Sequence, residues 1–376
     1  MLSVLHVGTA LGYRGGEQQL FFLLRGLKER GETTPAALPE HGLLAHRARE
    51  AGIAVLPLRA RGDLDLRAAA TLRGYVRRHR PQILHLHTAR AHAIGRLALA
   101  GLANRPKTVV SRQVSFPTRG GPLRRLKYVH GIDRYVAVSR SAALSVLRAG
   151  VPPDRVTVVP CGVDLAVFQV PRDREGLKQE LAIRDTAKLV GLTGALEEGK
   201  GPGDVLEAVA GLSPDVHVLL TGEGTLRDAL ERRSRRGDLA GRVHFLGWRE
   251  DFPRVLRSLD VLCLPSRQEG FPNAILDALA AEVPVIATRV GGVPEMLESG
   301  VDGLLVEPAN PPALREALSR ILDDPSLGAA LAARGGRTIQ RFTADRMVER
   351  TLAVYQDVLT GRRGPGVSGR EGASSC

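Results

Sequence analysis

The residues best suited to chemistry fall in segment 262–280. An apolar strand runs into Pro265-Ser266, Glu269 occupies the loop that follows, Gly270-Phe271 lead out of it, and Pro272 stands where a helix begins. First-turn amides around Asn273, Ala274, Ile275 and Leu276, together with the helix dipole, make a ready anion site. Glu269 before that helix start and Asp277 within the helix would flank a bound phosphate with two carboxylates able to grip sugar hydroxyls. The plainer role for Asp277 is to offset the helix dipole.

A second loop, Gly194-Ala195-Leu196-Glu197-Glu198-Gly199-Lys200-Gly201, has the Gly-x-x-x-x-Gly-Lys spacing of a phosphate-binding loop. It ends on Gly201, where nucleotide hydrolases need a Ser or Thr for magnesium. That leaves Lys200 as a point charge for a phosphate, or as an ordinary solvated lysine. A third candidate, Gly12-Tyr13-Arg14-Gly15-Gly16-Glu17, joins a strand to a helix, and Gly15 and Gly16 would let the backbone approach a ligand. It lacks the glycine spacing and the later acid of a dinucleotide site. His85 and His87 share one face of a strand, as lining for a second substrate or as structural hydrogen-bond partners. Two histidines are too few for a closed metal site, and Cys161, Cys263 and Cys376 lack ligand spacing, so no metal is expected. Segment 119–128, with Arg119, Arg124, Arg125 and Lys127, is basic and partly apolar, either a membrane-surface helix or a solvated face.

Such loops need a scaffold, and the chain supplies one by strict alternation. Strand patterns at 2–8, 53–58, 83–87, 108–111 and 135–139 are separated by amphipathic stretches at 17–30, 43–51, 64–80, 91–103, 123–131 and 141–149. The rhythm repeats with strands at 188–192, 216–221, 243–246, 261–265, 285–288 and 304–306, and helices at 203–212, 225–235, 252–256, 272–281 and 312–322. Alternation of this kind demands parallel sheets covered on both faces. The fold class is therefore α/β, with two doubly wound domains at 1–164 and 165–343. A helix at 344–360 is expected to pack back on the first domain, and a Gly/Ser/Arg-rich tail at 361–376 to be disordered.

A length of 376 residues suits two cores, and 43% hydrophobic with 25% charged residues is a globular composition. No apolar run approaches the roughly 20 residues of a membrane span. The first residues read as a buried strand and not as a secretory signal, so a reducing cytoplasm is expected. Charge is divided unevenly. Residues 1–164 carry 26 basic and 10 acidic side chains, while 165–376 carry 27 and 30. An anionic partner for the first half follows. With aromatics at 4%, stacking platforms for nucleic acid are scarce, and nucleic acid is not the expected partner.

The order Pro-Ser, Glu269-Gly270-x-Pro272-x-x-x-x-Asp277, Pro284-Val285-Ile286-Ala287-Thr288 and Gly291-Gly292-x-Pro294-Glu295 resembles the nucleotide-sugar domain of retaining GT-B glycosyltransferases of family 4. Gly15-Gly16-Glu17, Val138-Ser139-Arg140-Ser141, Val159-Pro160-Cys161-Gly162-Val163-Asp164, Gly222-Glu223-Gly224, Phe245-Leu246-Gly247-Trp248 and Gly303-Leu304-Leu305-Val306 fit the same family, so the likeness spans about residues 1–360. It implies two Rossmann-like domains facing a cleft. Glu269 would hold donor-sugar hydroxyls, Lys200 the diphosphate, Asp277 the ribose, and Gly15-Gly16 the diphosphate from the first domain. Gly222 and the amides of 270–277 would complete the donor site. Arg112 falls where relatives carry a histidine near the reacting sugar and would join Lys200 as a catalytic charge on the phosphates, making good the arginine that relatives carry at Ala195. Asp277 replaces a glutamate, Glu282 a glycine and Cys161 an asparagine.

The function implied is metal-independent, retaining transfer of a hexose-type sugar from a nucleotide sugar, a UDP-sugar first. The acceptor would be an anionic glycolipid or lipid-linked glycan of the cell envelope, such as lipopolysaccharide, met at an anionic membrane surface by a cytoplasmic, peripheral enzyme. His85, His87 and the basic 119–127 segment are the candidate acceptor contacts. A non-catalytic membrane-surface protein of the same fold is the rival, with a P-loop-like NTPase behind it.

Overall fold

Short aliphatic runs alternate with amphipathic stretches, and the computed structural model, which describes residues 1–113, 128–364 and 366, builds two separate parallel sheets from them. The chain divides into one unit of Met1–Gly162 with Ala344–Cys376 and a second of Val163–Thr343, so the crossover follows Gly162 and not Asp164. Arg119, Arg124, Arg125 and Lys127 lie outside the described residues, as does nearly all of the tail after Gly364.

The first unit runs β1 (Val4–Val7), α1 (Gly15–Glu29), β2 (Ala36–Leu38), α2 (Leu43–Glu50), β3 (Val55–Pro57), α3 (Leu66–His79), β4 (Ile83–Leu86), α4 (Ala89–Leu99), β5 (Lys107–Arg112), β6 (Arg134–Ala137), α5 (Arg140–Leu147) and β7 (Val156–Val158). Its strands pair in the order β3-β2-β1-β4-β5-β6-β7, every described pair parallel. The order reverses between β1 and β4, and ligands of such sheets bind beyond the strand ends at that switch. The loop after β1 carries Gly15-Gly16 and the loop after β4 carries His87-Thr88; Oγ1 of Thr9 and Thr88 stand 2.6 Å apart there. β2 was not expected. Its three residues, Ala36-Ala37-Leu38, are weak strand formers and become a strand by pairing with β1.

The carboxy-terminal helix, Ala344–Thr360, returns to this unit. Met347, Val348, Val354, Tyr355 and Val358 join Val4, Phe22, Leu23 and Leu27 in one core. Close approach to α1 depends on Gly26, where a Cβ would sit 2.7 Å from the Val348 Cγ2 methyl. The helix also closes a polar chain in the interior. The Tyr355 hydroxyl lies 2.6 Å from Nδ1 of His85, and His85 Nε2 lies 2.9 Å from the Ser111 hydroxyl. Ser111 Oγ is 3.3 Å from His87 Nδ1, and His87 Nε2 is 3.0 Å from Nδ1 of His6. His6 comes in because β1 and β4 pair in a register that sets it opposite His85.

The second unit runs α6 (Arg174–Glu180), β8 (Lys188–Thr193), α7 (Pro202–Ala210), β9 (Val216–Thr221), α8 (Arg227–Ser234), β10 (Val243–Phe245), α9 (Phe252–Arg257), β11 (Val261–Leu264), α10 (Asn273–Ala280), β12 (Val285–Thr288), β13 (Leu304–Val306), α11 (Pro311–Asp323) and α12 (Pro325–Thr338). Strand order is β10-β9-β8-β11-β12-β13, again parallel throughout, with the switch between β8 and β11. The two loops singled out in the sequence, 194–201 and 265–272, leave the sheet from these two strands. α6 and α12 were unexpected: α6 has one fully apolar residue, Leu177, and α12 is weakened by Gly328, Gly335 and Gly336.

Burial lowers the pKa of the three histidines of this chain of contacts, His6, His85 and His87, that of His87 to about 3, so they are neutral in the fold. An unfolded chain takes up protons at these sites below about pH 6.5, whereas the folded chain does not. Stability is therefore full above that pH and falls below it, by up to about 1.4 kcal/mol per pH unit for each histidine. Urea midpoints between pH 7.5 and 5 should show this slope, and His87→Gln should reduce it.

Candidate active site

In the second unit Lys200 and Glu269 come together. Lys200 Nζ donates to Glu269 Oε1 at 2.7 Å, and the Ser266 hydroxyl donates to the same oxygen at 2.6 Å. Glu269 is only 7% exposed, so its charge is compensated by these donors and not by water. Ser266 is fixed in turn by its carbonyl, which accepts from Thr288 Oγ1 at 2.5 Å.

The two loops are stapled to each other. Arg267 N donates to Gly199 O at 2.9 Å, and the Arg267 guanidinium forms a two-pronged pair with Asp204 at the start of α7. Gly201 has φ +64°, and a Cβ there would lie 2.4 Å from the Pro265 carbonyl oxygen. A Ser or Thr of the NTPase type has no room at this position. Gly291, φ +54°, passes under the Glu269 loop so closely that a Cβ would lie 1.8 Å from the Glu269 carbonyl oxygen. Gly222 lies against the Gly194 carbonyl and donates to Gly247 O at 2.9 Å. Loops from five neighbouring strands, β8 to β12, thus lie one against the next, with Lys200 and Glu269 on those of β8 and β11.

α10 begins at Pro272 with no side-chain cap. Ile275 and Leu276 are fully buried, so their apolar side chains are withheld from a ligand; the Ile275 amide donates to Pro272 O at 3.2 Å, and Asn273 and Ala274 are half-buried. Phe271, expected at the donor, turns its ring inward onto Phe342, with centroids 5.4 Å apart; Gly270 precedes it in the loop. Asp277 lies one turn into α10, and its carboxyl has no partner among the described residues. Burial raises its pKa to about 7. A cavity of about 180 Å³ beyond the Lys200 loop is bordered by Glu198, Asp204 and Glu207 and by Arg233 and Arg267, with Arg267 and Asp204 paired to each other.

In the first unit Gly15 and Gly16 open α1 at the β1 loop. Gly16 faces Gln113, whose Oε1 would be 2.3 Å from a Cβ at that position. Small cavities on either side share Gln113 and His87 as lining. Arg112 points the other way, its Nε donating to Ser145 Oγ of α5 at 2.9 Å. The residue of β5's outgoing loop that reaches the glycine turn is Gln113, which the sequence reading passed over in favour of the adjacent charge. His87 borders both cavities, while His85 borders only the second and is held by Ser111 and Tyr355. With His6 these are the described residues whose spacing comes nearest to a metal set, their ligand nitrogens within 4.8 Å of one another.

A family described as "Glycosyltransferase Family 4" matches residues 13–167, and one described as "Glycosyl transferases group 1" matches residues 187–324. A UDP-Gal:alpha-D-GlcNAc-diphosphoundecaprenol alpha-1,3-galactosyltransferase of Escherichia coli is 26% identical over 315 residues, 79% of this chain and 81% of that protein. A lipopolysaccharide core biosynthesis mannosyltransferase of Rhizobium meliloti is 31% identical over 214 residues, 54% of this chain and 61% of that protein. Among solved structures, an Anabaena protein in complex with UDP-glucose superposes with a TM-score of 0.83 at 21% identity, over 95% of this chain and all of that one. Two matches that together take in most of the chain, a relative aligned over four-fifths of its length and this likeness of fold agree with the order of strands and loops: the chain belongs to the group 1, family 4 glycosyltransferases and has the GT-B fold.

Proposed function

We propose that the protein transfers a hexose-type sugar from a nucleotide sugar, a UDP-sugar first, to an anionic lipid-linked or lipopolysaccharide-type acceptor of the cell envelope, with retention and without a metal ion. The observation that carries this reading is the Lys200–Glu269 pair at the sheet switch, beside the uncapped start of α10. The Escherichia coli relative is named for a UDP-sugar donor and a diphosphoundecaprenol-linked acceptor, the Rhizobium relative for lipopolysaccharide core, and the Anabaena protein was crystallised with UDP-glucose; all three favour it.

In this reading the bond from the anomeric carbon to the diphosphate oxygen breaks as the acceptor oxygen bonds to the same face. The departing phosphate oxygen takes the acceptor's proton. Lys200 and the α10 amides stabilise the negative charge that grows on the leaving group. Glu269 accepts hydrogen bonds from sugar hydroxyls and keeps the ring oriented. Asp277, a carboxyl without a protein partner, accepts from the ribose hydroxyls. The acceptor falls to the basic first unit, and the enzyme works as a peripheral protein at the cytoplasmic face of the membrane. No described helix is long and apolar enough to cross it.

Glu269→Gln keeps the shape of the side chain and removes its charge. Transfer should drop by about 100-fold or more, the scale of losing one such electrostatic contact, with the melting temperature little changed; wild-type turnover in this variant overturns the assignment. Chelation should leave the rate intact, and a rate restored only by added divalent metal would refute metal independence. Because the Asp277 carboxyl titrates near 7, it becomes a neutral acid as pH falls through that value. The donor KM should then rise from pH 8 to pH 6, and Asp277→Asn should flatten the profile at a uniformly raised KM.

A further inference from the structure

Between Asp65 and Asp133 the chain passes through 67 residues without one aspartate or glutamate while carrying 14 arginines and lysines. The described part of this stretch forms α3, β4, α4 and β5, with the strands inside and α3 packed along α4. Arg73 ties the two helices, donating to the carbonyls of Ala98 at 3.1 Å and Ala100 at 2.6 Å. At 100° per residue, the exposed positions of α3 fall on one face, with Ala70 and Gly74 along its middle and Arg67, Arg77 and Arg78 at its flanks.

Leu64 and Leu66 stand at the leading end of this face, 79% and 72% exposed. The acid between them, Asp65, is committed to the backbone: its carboxylate accepts from the amides of Arg61, Arg67 and Ala68. Arg67, Arg77, Arg78 and Arg80 have no carboxylate partner among the described residues. A bare cationic helix face led by two exposed leucines matches one kind of surface in particular. Its arginines suit lipid phosphates, its small central residues let the helix lie close, and its leucines suit the acyl boundary. Nucleic acid would satisfy the charge and leave the leucines in water.

We propose that the exposed face of α3, with Leu64 and Leu66 as its wedge, docks the protein on an anionic lipid surface. The inference rests on the membrane-linked acceptor proposed above and assigns the contact to a surface distinct from segment 119–127. The test is cosedimentation of the full chain with vesicles of phosphatidylcholine alone and of phosphatidylcholine mixed equally with phosphatidylglycerol. Binding should require phosphatidylglycerol and fall with salt. Arg77→Ala/Arg78→Ala should weaken it by about 30-fold, roughly fivefold for each arginine. Leu64→Ser/Leu66→Ser should weaken it at unchanged charge. Both variants should keep the wild-type melting temperature and the hydrolysis of UDP-sugar without acceptor. Wild-type vesicle binding in both variants overturns the proposal, as does tighter binding to duplex DNA than to the mixed vesicles. Lost vesicle binding with intact transfer to a soluble acceptor analogue would leave the catalytic reading standing; absence of hydrolysis and transfer with intact vesicle binding would sink that reading and leave this one.

Discussion

An ammonium and a carboxylate held 2.7 Å apart, with the carboxylate almost wholly removed from water, impose a demand on everything around them. Lys200 and Ser266 both donate to one oxygen of this carboxylate. Taking away Lys200 would leave the buried carboxylate short of its ion-pair partner, which is far costlier than never having built the pair. The loops that carry the two residues must therefore stay in register. Arg267, reaching back to Gly199 and Asp204, is the brace that keeps them so. In the function proposed above, a ligand that draws Lys200 toward its phosphate returns a donor to Glu269 through a sugar hydroxyl. On that proposal the pair links the two ends of one substrate: a diphosphate without a sugar, or a sugar without a diphosphate, satisfies only half of it.

Much of this was legible in the residues. Strand–helix alternation gave the class of fold, because parallel strands covered on both faces leave almost continuous apolar runs. The switch-point rule then directed attention to the loops that hold Lys200, Glu269 and Gly16. What stayed hidden has identifiable causes. β2 is made of residues with little strand preference and owes its existence to its neighbour. His6 enters the histidine cluster through the register of β1 against β4, a pairing that sequence spacing does not state. Gln113 is uncharged and follows an arginine that attracted the phosphate role, yet strand alternation sends the arginine to α5. Ser266 and Arg267 lay inside the motif, but their tasks of compensating Glu269 and bracing the loops exist only in three dimensions.

The departures from the family pattern also become physical. Gly201 is where an NTPase would need a hydroxyl, and the Pro265 carbonyl occupies the space that a side chain would take. Glu282, where the family resemblance implies a glycine, has φ +54° just beyond α10, the left-handed conformation that favours glycine. That strain, on the order of 1–2 kcal/mol, lies at the far end of the helix from the anion site, so it bears on stability and not on the chemistry.

The carboxy-terminal helix has a consequence for any dissection of the molecule. Because Met347, Val348 and Tyr355 supply part of the first unit's core, a fragment ending at Gly162 would leave Phe22, Leu27 and Val4 facing solvent and His85 without its tyrosine. The first Rossmann-like half is thus not a contiguous piece of gene. Recovering it alone would take a fusion that grafts the last helix onto the opening segment, whereas the second half can be excised by two cuts.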